Sequence, residues 1–138
     1  SAHPVSAAIG LEVLRLYMEG GLLANGIAHA PNFDHGLRDL LDHPLVGDAR
    51  SRGLLGALEL VSDKSSKARF DGSLKLHERI AEAAYRNRVL FRAFGDNVLG
   101  FAPALCYTAT DFELLFTRLK KTLDEVLEQP EVRCAVMS

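Results

Sequence analysis

The segment from Val89 to Pro103 sets the tightest limit on what this chain can fold into, because it holds one permanent charge inside an apolar run. Residues 89–94 are β-branched, aromatic or aliphatic apart from Arg92. Gly95-Asp96-Asn97 supplies turn chemistry, and Val98 to Ala102 is a second strand-like run that stops at Pro103. The pattern predicts a β-hairpin. A side-chain period of two puts Leu90, Arg92 and Phe94 on one face, so Arg92 projects beside large apolar groups just before the turn. Its fork of five donors in a partly dry setting suits a carboxylate. On residue chemistry alone, an internal ion pair is the simpler account, either with Asp96 across the turn or with Glu59 on another strand.

The rest of the chain alternates two periodicities. Pro4 suits the first turn of a helix, and Val5, Ile9, Val13, Leu16 and Tyr17 recur at spacings of three and four until Gly20-Gly21. That predicts an amphipathic helix with its apolar stripe inward. Leu23, Ile27, Ala30, Phe33, Leu37 and Leu40 predict a second helix, kinked near Pro31 and ending before His43-Pro44. Val46 to Arg52 and Gly53 to Val61 read as two strands, and Ser62 to Ser73 as a polar loop. Leu76, Ile80 and Ala83 or Ala84 mark a third helix closed by Asn87. Thr108 with Asp111 resembles a capping pair before the most regular stripe, Phe112 to Leu127, which Pro130 stops. Strands arriving in adjacent pairs predict a mostly antiparallel sheet covered by helices, an α+β two-layer domain spanning residues 1–138.

Composition narrows the functional classes. With 138 residues, 48% of them apolar, the chain is one domain with a core of its own. Sixteen basic residues against 18 acidic ones, a net charge of −2 with the signs interspersed, argue against nucleic acid as a partner. No run approaches the roughly 20 apolar residues that cross a bilayer, so no membrane role is expected. Cys106 and Cys134 are expected to be free thiols in a reducing cytoplasm. The opening Ser1-Ala2-His3-Pro4 lacks an initiating methionine, which gives the expectation that the chain is a piece of a longer polypeptide.

Local catalytic signatures are weak. His29 and His35 are six residues apart, about 240° around a helix, and His43 and His77 lie in other elements, so surface or capping roles outweigh metal binding. Neither cysteine has the basic or helix-start setting that lowers a thiol pKa. Gly53 and Gly56 fit a bulge or tight packing in a strand better than a phosphate loop. Glu59 in an apolar strand needs a partner, for which Arg50 or Arg52 is placed.

Three stretches, in order and suitably spaced, resemble one family. Ser1-Ala2-His3-Pro4-Val5 resembles the Ser-Gly-His-Pro entrance of the class III (omega) pyridoxal-phosphate-dependent aminotransferases, with Ala2 where glycine is usual. The run from Arg50 to Val61 resembles that family's Arg-Gly-x-Gly-Leu-Met-x-x-x-Glu-Leu strand pair, and the Arg92 hairpin resembles its apolar-Arg-x-x-Gly strand. The resemblance covers essentially the whole chain. It implies the carboxy-terminal small domain of a fold-type I transferase, from a homodimeric enzyme that exchanges an amino group between an amine or amino acid and an oxo-acid. It implies pyridoxal phosphate in the full-length enzyme. It also implies that Arg92 is the mobile arginine that meets a substrate carboxylate, with Phe91 and Phe94 as part of a bulky pocket wall. The Schiff-base lysine, the pyridinium-partner aspartate and the phosphate-gripping threonine of the family lie upstream of its Ser-Gly-His-Pro motif. Lys64, Lys67, Lys75, Lys120 and Lys121 all read as surface residues, so no catalytic, cofactor-binding or metal-binding residue is expected in this chain. The isolated chain is expected to be inactive. A rival reading from another class is a non-catalytic α+β module for binding or dimerisation, with Arg92 paired internally.

Overall fold

The stripe that begins at Phe112 folds as predicted, and the structure, a computed structural model that describes residues 3–137, is built around it. In chain order the elements are α1 (Pro4–Met18), α2 (Leu22–Asp39, followed by a 3-10 turn over Leu40–Asp42), β1 (Val46–Arg52) and β2 (Leu55–Leu60). After them come α3 (Leu76–Arg86), β3 (Arg92–Ala93), β4 (Val98–Phe101), α4 (Ala109–Leu127) and α5 (Pro130–Met137). The strands form one sheet in the order β1-β2-β4-β3, antiparallel at every pairing. The α+β two-layer expectation holds.

The two faces of the sheet differ. Ala49, Leu58, Leu99 and Phe101 turn inward with Leu60 and pack with Phe33 and Leu37 of α2, Ile80 of α3, and Phe112, Leu119 and Leu123 of α4. Each fully buried side chain of this size contributes ~1.5–3 kcal/mol of transfer free energy. The opposite face carries Arg50, Ala57, Gly100 and Arg92 along one cross-strand row, with Arg50 and Arg92 exposed. Thr108 and Asp111 close a reciprocal capping box at the start of α4, satisfying two donors that the first turn leaves without partners.

Several expectations need correction. The apolar stripe of α1 does not turn inward: none of its residues is buried, and Val5, Ile9, Leu11 and Met18 are all at least 60% exposed. The helix is apolar on most sides and its main contact is with α2, whose Leu23 and Ile27 are exposed as well. Pro130 does more than stop α4: it opens α5, where its fixed φ suits a first helical turn and Val132 is fully buried. The first hairpin strand shrinks to Arg92–Ala93, because Val89 donates back to the Ala84 carbonyl and so belongs to the exit from α3. Helix α2, by contrast, runs through Pro31 as a single helix, as its periodicity predicts. The Ser1-Ala2 part of the opening motif lies outside the described residues.

His43, at the corner between α2 and β1, is buried. Its Nδ1 accepts the Leu45 backbone N–H at 3.1 Å, which leaves the proton of the neutral ring on Nε2. Nε2 sits 3.2 Å from Asp124 Oδ1, within ion-pair distance but off the line that a hydrogen bond requires. Burial pushes the His43 pKa below 6.5. Asp124 opposes the shift, and Lys64 and Lys120 add to it. A depressed folded-state pKa means that the unfolded chain binds the proton more readily, so this contribution to stability is present above pH 6.5 and lost as the pH falls through the folded value. His43→Asn keeps an acceptor for Leu45 and removes the titration. Its melting temperature is expected to fall less than that of the wild type between pH 7.5 and pH 5, and equal slopes would refute the assignment.

An apolar helix without cover inside its own chain has a second consequence. Exposed apolar surface beyond a few hundred Å² draws a partner. The 138-residue protein is therefore expected to self-associate through α1. Sedimentation would show mass rising with concentration, and Leu11→Glu with Met18→Glu would suppress it; a strict monomer at high concentration would count against this.

Candidate functional site

Arg92 stands on the exposed face of the sheet one residue before the hairpin turn. The turn is fixed by Phe94 N–H donating to the Val98 carbonyl at 2.9 Å and by Asn97 at φ 66°, a left-handed conformation that asparagine tolerates well. In register, Arg92 lies opposite Gly100. Neither internal ion pair expected from residue chemistry forms: among the described residues, no carboxylate lies within ion-pair distance of Arg92. Its guanidinium instead lies over the Phe94 ring, 5.5 Å from the centroid. The surrounding hollow, about 450 Å³ and open to solvent, is lined by Leu55, Leu90, Phe91, Phe94 and Gly100. Phe91 also packs on Phe101 with ring centroids 5.1 Å apart, so the two phenylalanines flanking Arg92 have different tasks.

Glu59, on the same face of the sheet, is already taken. Glu59 accepts from Arg50 at 3.3 Å and from Arg69 at 3.2 Å, and Arg50 also holds Asp48 at 2.6 Å. Arg50 is thus the expected partner of Glu59. Arg69, hidden in a loop with no strand periodicity, was not foreseen. Gly53 sits in the β1–β2 turn at φ 59°, and Gly56 is a packing position.

A second, wider concavity of about 790 Å³ lies on the helical side between α2 and α4. It is walled by Phe112 and Phe116 and rimmed by Asp39, Glu113, Lys120 and Asp124. It is remote from the Arg92 row. His29 packs on Phe112 and His35 approaches Asp39, both surface arrangements, and no group of three or more metal-ligating side chains occurs among the described residues. Cys106 and Cys134 are exposed free thiols.

A Schiff-base cofactor requires a lysine held out of water. All five lysines are exposed. Lys64 donates to the Leu41 and His43 carbonyls, and Lys75 pairs with Glu78 at 3.2 Å. These residues do not fit a pyridoxal phosphate site. Mixing the 138-residue protein with pyridoxal phosphate, reducing with borohydride and mapping peptides should give only scattered, substoichiometric labelling. One lysine labelled to completion would contradict this.

The fold is that of the transaminases. An omega-transferase from Vibrio fluvialis JS17 superposes with a TM-score of 0.87 at 35% identity, covering 92% of this chain and 30% of that one. An omega-aminotransferase from Paracoccus denitrificans gives 0.88 at 34% identity over 93% and 28%. The class III aminotransferase family model matches residues 1–123, and the chain belongs to that family. Among its relatives, the putrescine–pyruvate aminotransferase of Pseudomonas aeruginosa is 37% identical over 127 residues, which is 91% of this chain and 27% of that protein. The diaminobutyrate–2-oxoglutarate transaminase of Halomonas elongata is 32% identical over 131 residues, or 93% and 28%. The chain therefore spans little more than a quarter of the length of these relatives. No described helix is long and apolar enough to cross a membrane.

Proposed function

We propose that this chain is the small domain of a class III aminotransferase and that Arg92 is its reader of substrate carboxylates. In the whole protein, pyridoxal phosphate would be held by residues outside positions 1–138. The enzyme would move an amino group between an amine or amino acid and an oxo-acid, as a homodimer in the cytoplasm. The observation that carries the site reading is that Arg92 is exposed in an apolar hollow with no acidic partner in reach, while its neighbour across the sheet, Arg50, is fully paired. An unpaired guanidinium costs nothing in water, but once the hollow is covered it must meet an anion. The relatives named above act on an oxo-acid and an amine or amino acid according to their names, which agrees with a site that must accept a carboxylate in one half-reaction and not necessarily in the other.

The same geometry weighs against the module reading, which needed Arg92 as a member of an internal ion pair. Arg92→Ala in the full-length enzyme separates the two. Removing a charge-assisted contact of ~1.5–3 kcal/mol should lower kcat/KM toward an oxo-acid or amino acid by about 10- to 150-fold. A matched amine without a carboxylate should lose far less. An unchanged ratio between the two substrate classes, beside a large drop in melting temperature, would return Arg92 to a structural role.

A further inference from the structure

Phe94 and Gly100 do something for Arg92 that neither the fold nor the family assignment requires. The guanidinium carbon lies over the Phe94 ring, 5.5 Å from its centroid, so the contact is with the ring's π face and not with a hydrogen-bond acceptor. Among the described residues no hydrogen bond or ion pair uses any of its five N–H donors, and the residue is exposed. An arginine side chain with four rotatable bonds normally loses much rotamer freedom when it grips a ligand. A cation–π contact restricts those rotations beforehand without spending a donor.

The ring has a reason to be where it is. Gly100 sits opposite Arg92 in the ladder, and a Cβ added there would come within 3.0 Å of Phe94 Cε2 and 3.8 Å of Arg92 Cβ. The backbone of Phe94 is pinned by its bond to Val98, and the edge of its ring lies against the bare backbone of Gly100 in β4. Glycine in the middle of a strand weakens it, and the close approach of this ring is what its absent side chain permits.

We propose that Phe94 is a positioning residue that holds Arg92 ready for a carboxylate, and that Gly100 is the seat that admits the Phe94 ring beneath it. This inference rests on the carboxylate role proposed for Arg92. It predicts that the site favours substrates with a carboxylate by more than the charge of Arg92 alone supplies. The alternative is competition, in which the stack retains Arg92 and a carboxylate must pull it away.

The two differ in sign. Calorimetry on the full-length enzyme with glutarate, an unreactive dicarboxylate, reads the affinity without turnover. Phe94→Leu keeps an apolar side chain and removes the aromatic face; its Kd for glutarate should be ~2- to 5-fold weaker, the range of an exposed cation–π contact. Phe94→Tyr should restore the wild-type value, and Gly100→Ala should weaken binding in the same direction by displacing the ring. In an Arg92→Ala background, Phe94→Leu should change nothing. Glutarate binding that is unchanged or tighter in Phe94→Leu would overturn the inference, as would an equal loss in the Arg92→Ala background. If Arg92→Ala itself leaves the glutarate Kd unchanged, the carboxylate reading fails first. If Arg92→Ala weakens binding and Phe94→Leu does not, only the positioning role fails.

Discussion

The contact between α2 and Gly56 is the point on which the rest of the arrangement depends. A Cβ on Gly56 would fall 2.5 Å from Leu37 Cδ1 and 2.7 Å from Phe33 Cζ, so the helix can press its two largest buried side chains against bare strand backbone only because that residue is glycine. The distance between the helical layer and the sheet is set there. Phe33 in turn carries the aromatic cluster with Phe112 and Phe116, which ties α4 to the same point. Because Gly56 pairs with Phe101, and Ala57 with Gly100, fixing β2 fixes β4; because Gly100 pairs with Arg92, fixing β4 fixes the exposed arginine. Interiors pack at crystal-like density, so a displacement at Gly56 would be passed on to the Arg92 row rather than absorbed.

Two arginines on one row show how position decides chemistry. Arg92, Gly100, Ala57 and Arg50 are consecutive across the sheet, which places the arginine backbones roughly 14 Å apart at ~4.8 Å per strand spacing. Arg50 has Asp48 on its own strand and Glu59 on the next. Arg92 has neither. Glu59 lies two strands away from it and further along the sheet, with both carboxylate oxygens already engaged. The two small residues between the arginines keep the row clear, so nothing in the described chain bridges them. The ion pairs around Arg50 are exposed and each is worth little in stability. Their effect is to leave that end of the row near neutrality and the Arg92 end positive.

Much of this was legible in the sequence. Wherever an element buries one face, its period survived into the structure: α4, α3, the inner residues of β1, β2 and β4, and the later half of α2. The capping box at Thr108 and Asp111, the exposed lysines and the pairing of Glu59 with Arg50 were readable for the same reason, since each depends on neighbours close in sequence or on a regular ladder. Where the reading failed, the deciding partner was out of reach of any local pattern. An apolar stripe states that α1 wants cover and does not say whether this chain supplies it. Pro130 carries both a stop and a start signal, and only the burial of Val132 chooses between them. Arg92 could have paired with Asp96 or Glu59 on charge alone, and the choice of Phe94 over both depends on the missing Cβ across the ladder.

That last dependence extends beyond one residue. Carboxylate recognition by a surface arginine is ordinarily limited by the entropy of ordering a long side chain, and an acidic neighbour solves the ordering problem only by consuming the charge. An aromatic neighbour orders the chain and leaves the charge available, because a ring attracts the flat face of a guanidinium and has no acceptor for its edge. The hairpin provides the aromatic neighbour two residues further along the chain, a spacing that puts it on the same side, and provides the space for it with glycine on the partner strand. Arg15, Arg38, Arg50 and Arg86 are committed to carboxylates, whereas among the described residues Arg92 meets an aromatic ring and no carboxylate. Arg92 lies on the exposed face of the sheet, beside apolar surface, in a hollow that no acidic side chain lines among the described residues. The wider concavity carries four carboxylates, Asp39, Asp42, Glu113 and Asp124, against Lys120, so size and positive charge point to different places on this domain, and the proposed reading of Arg92 follows the charge.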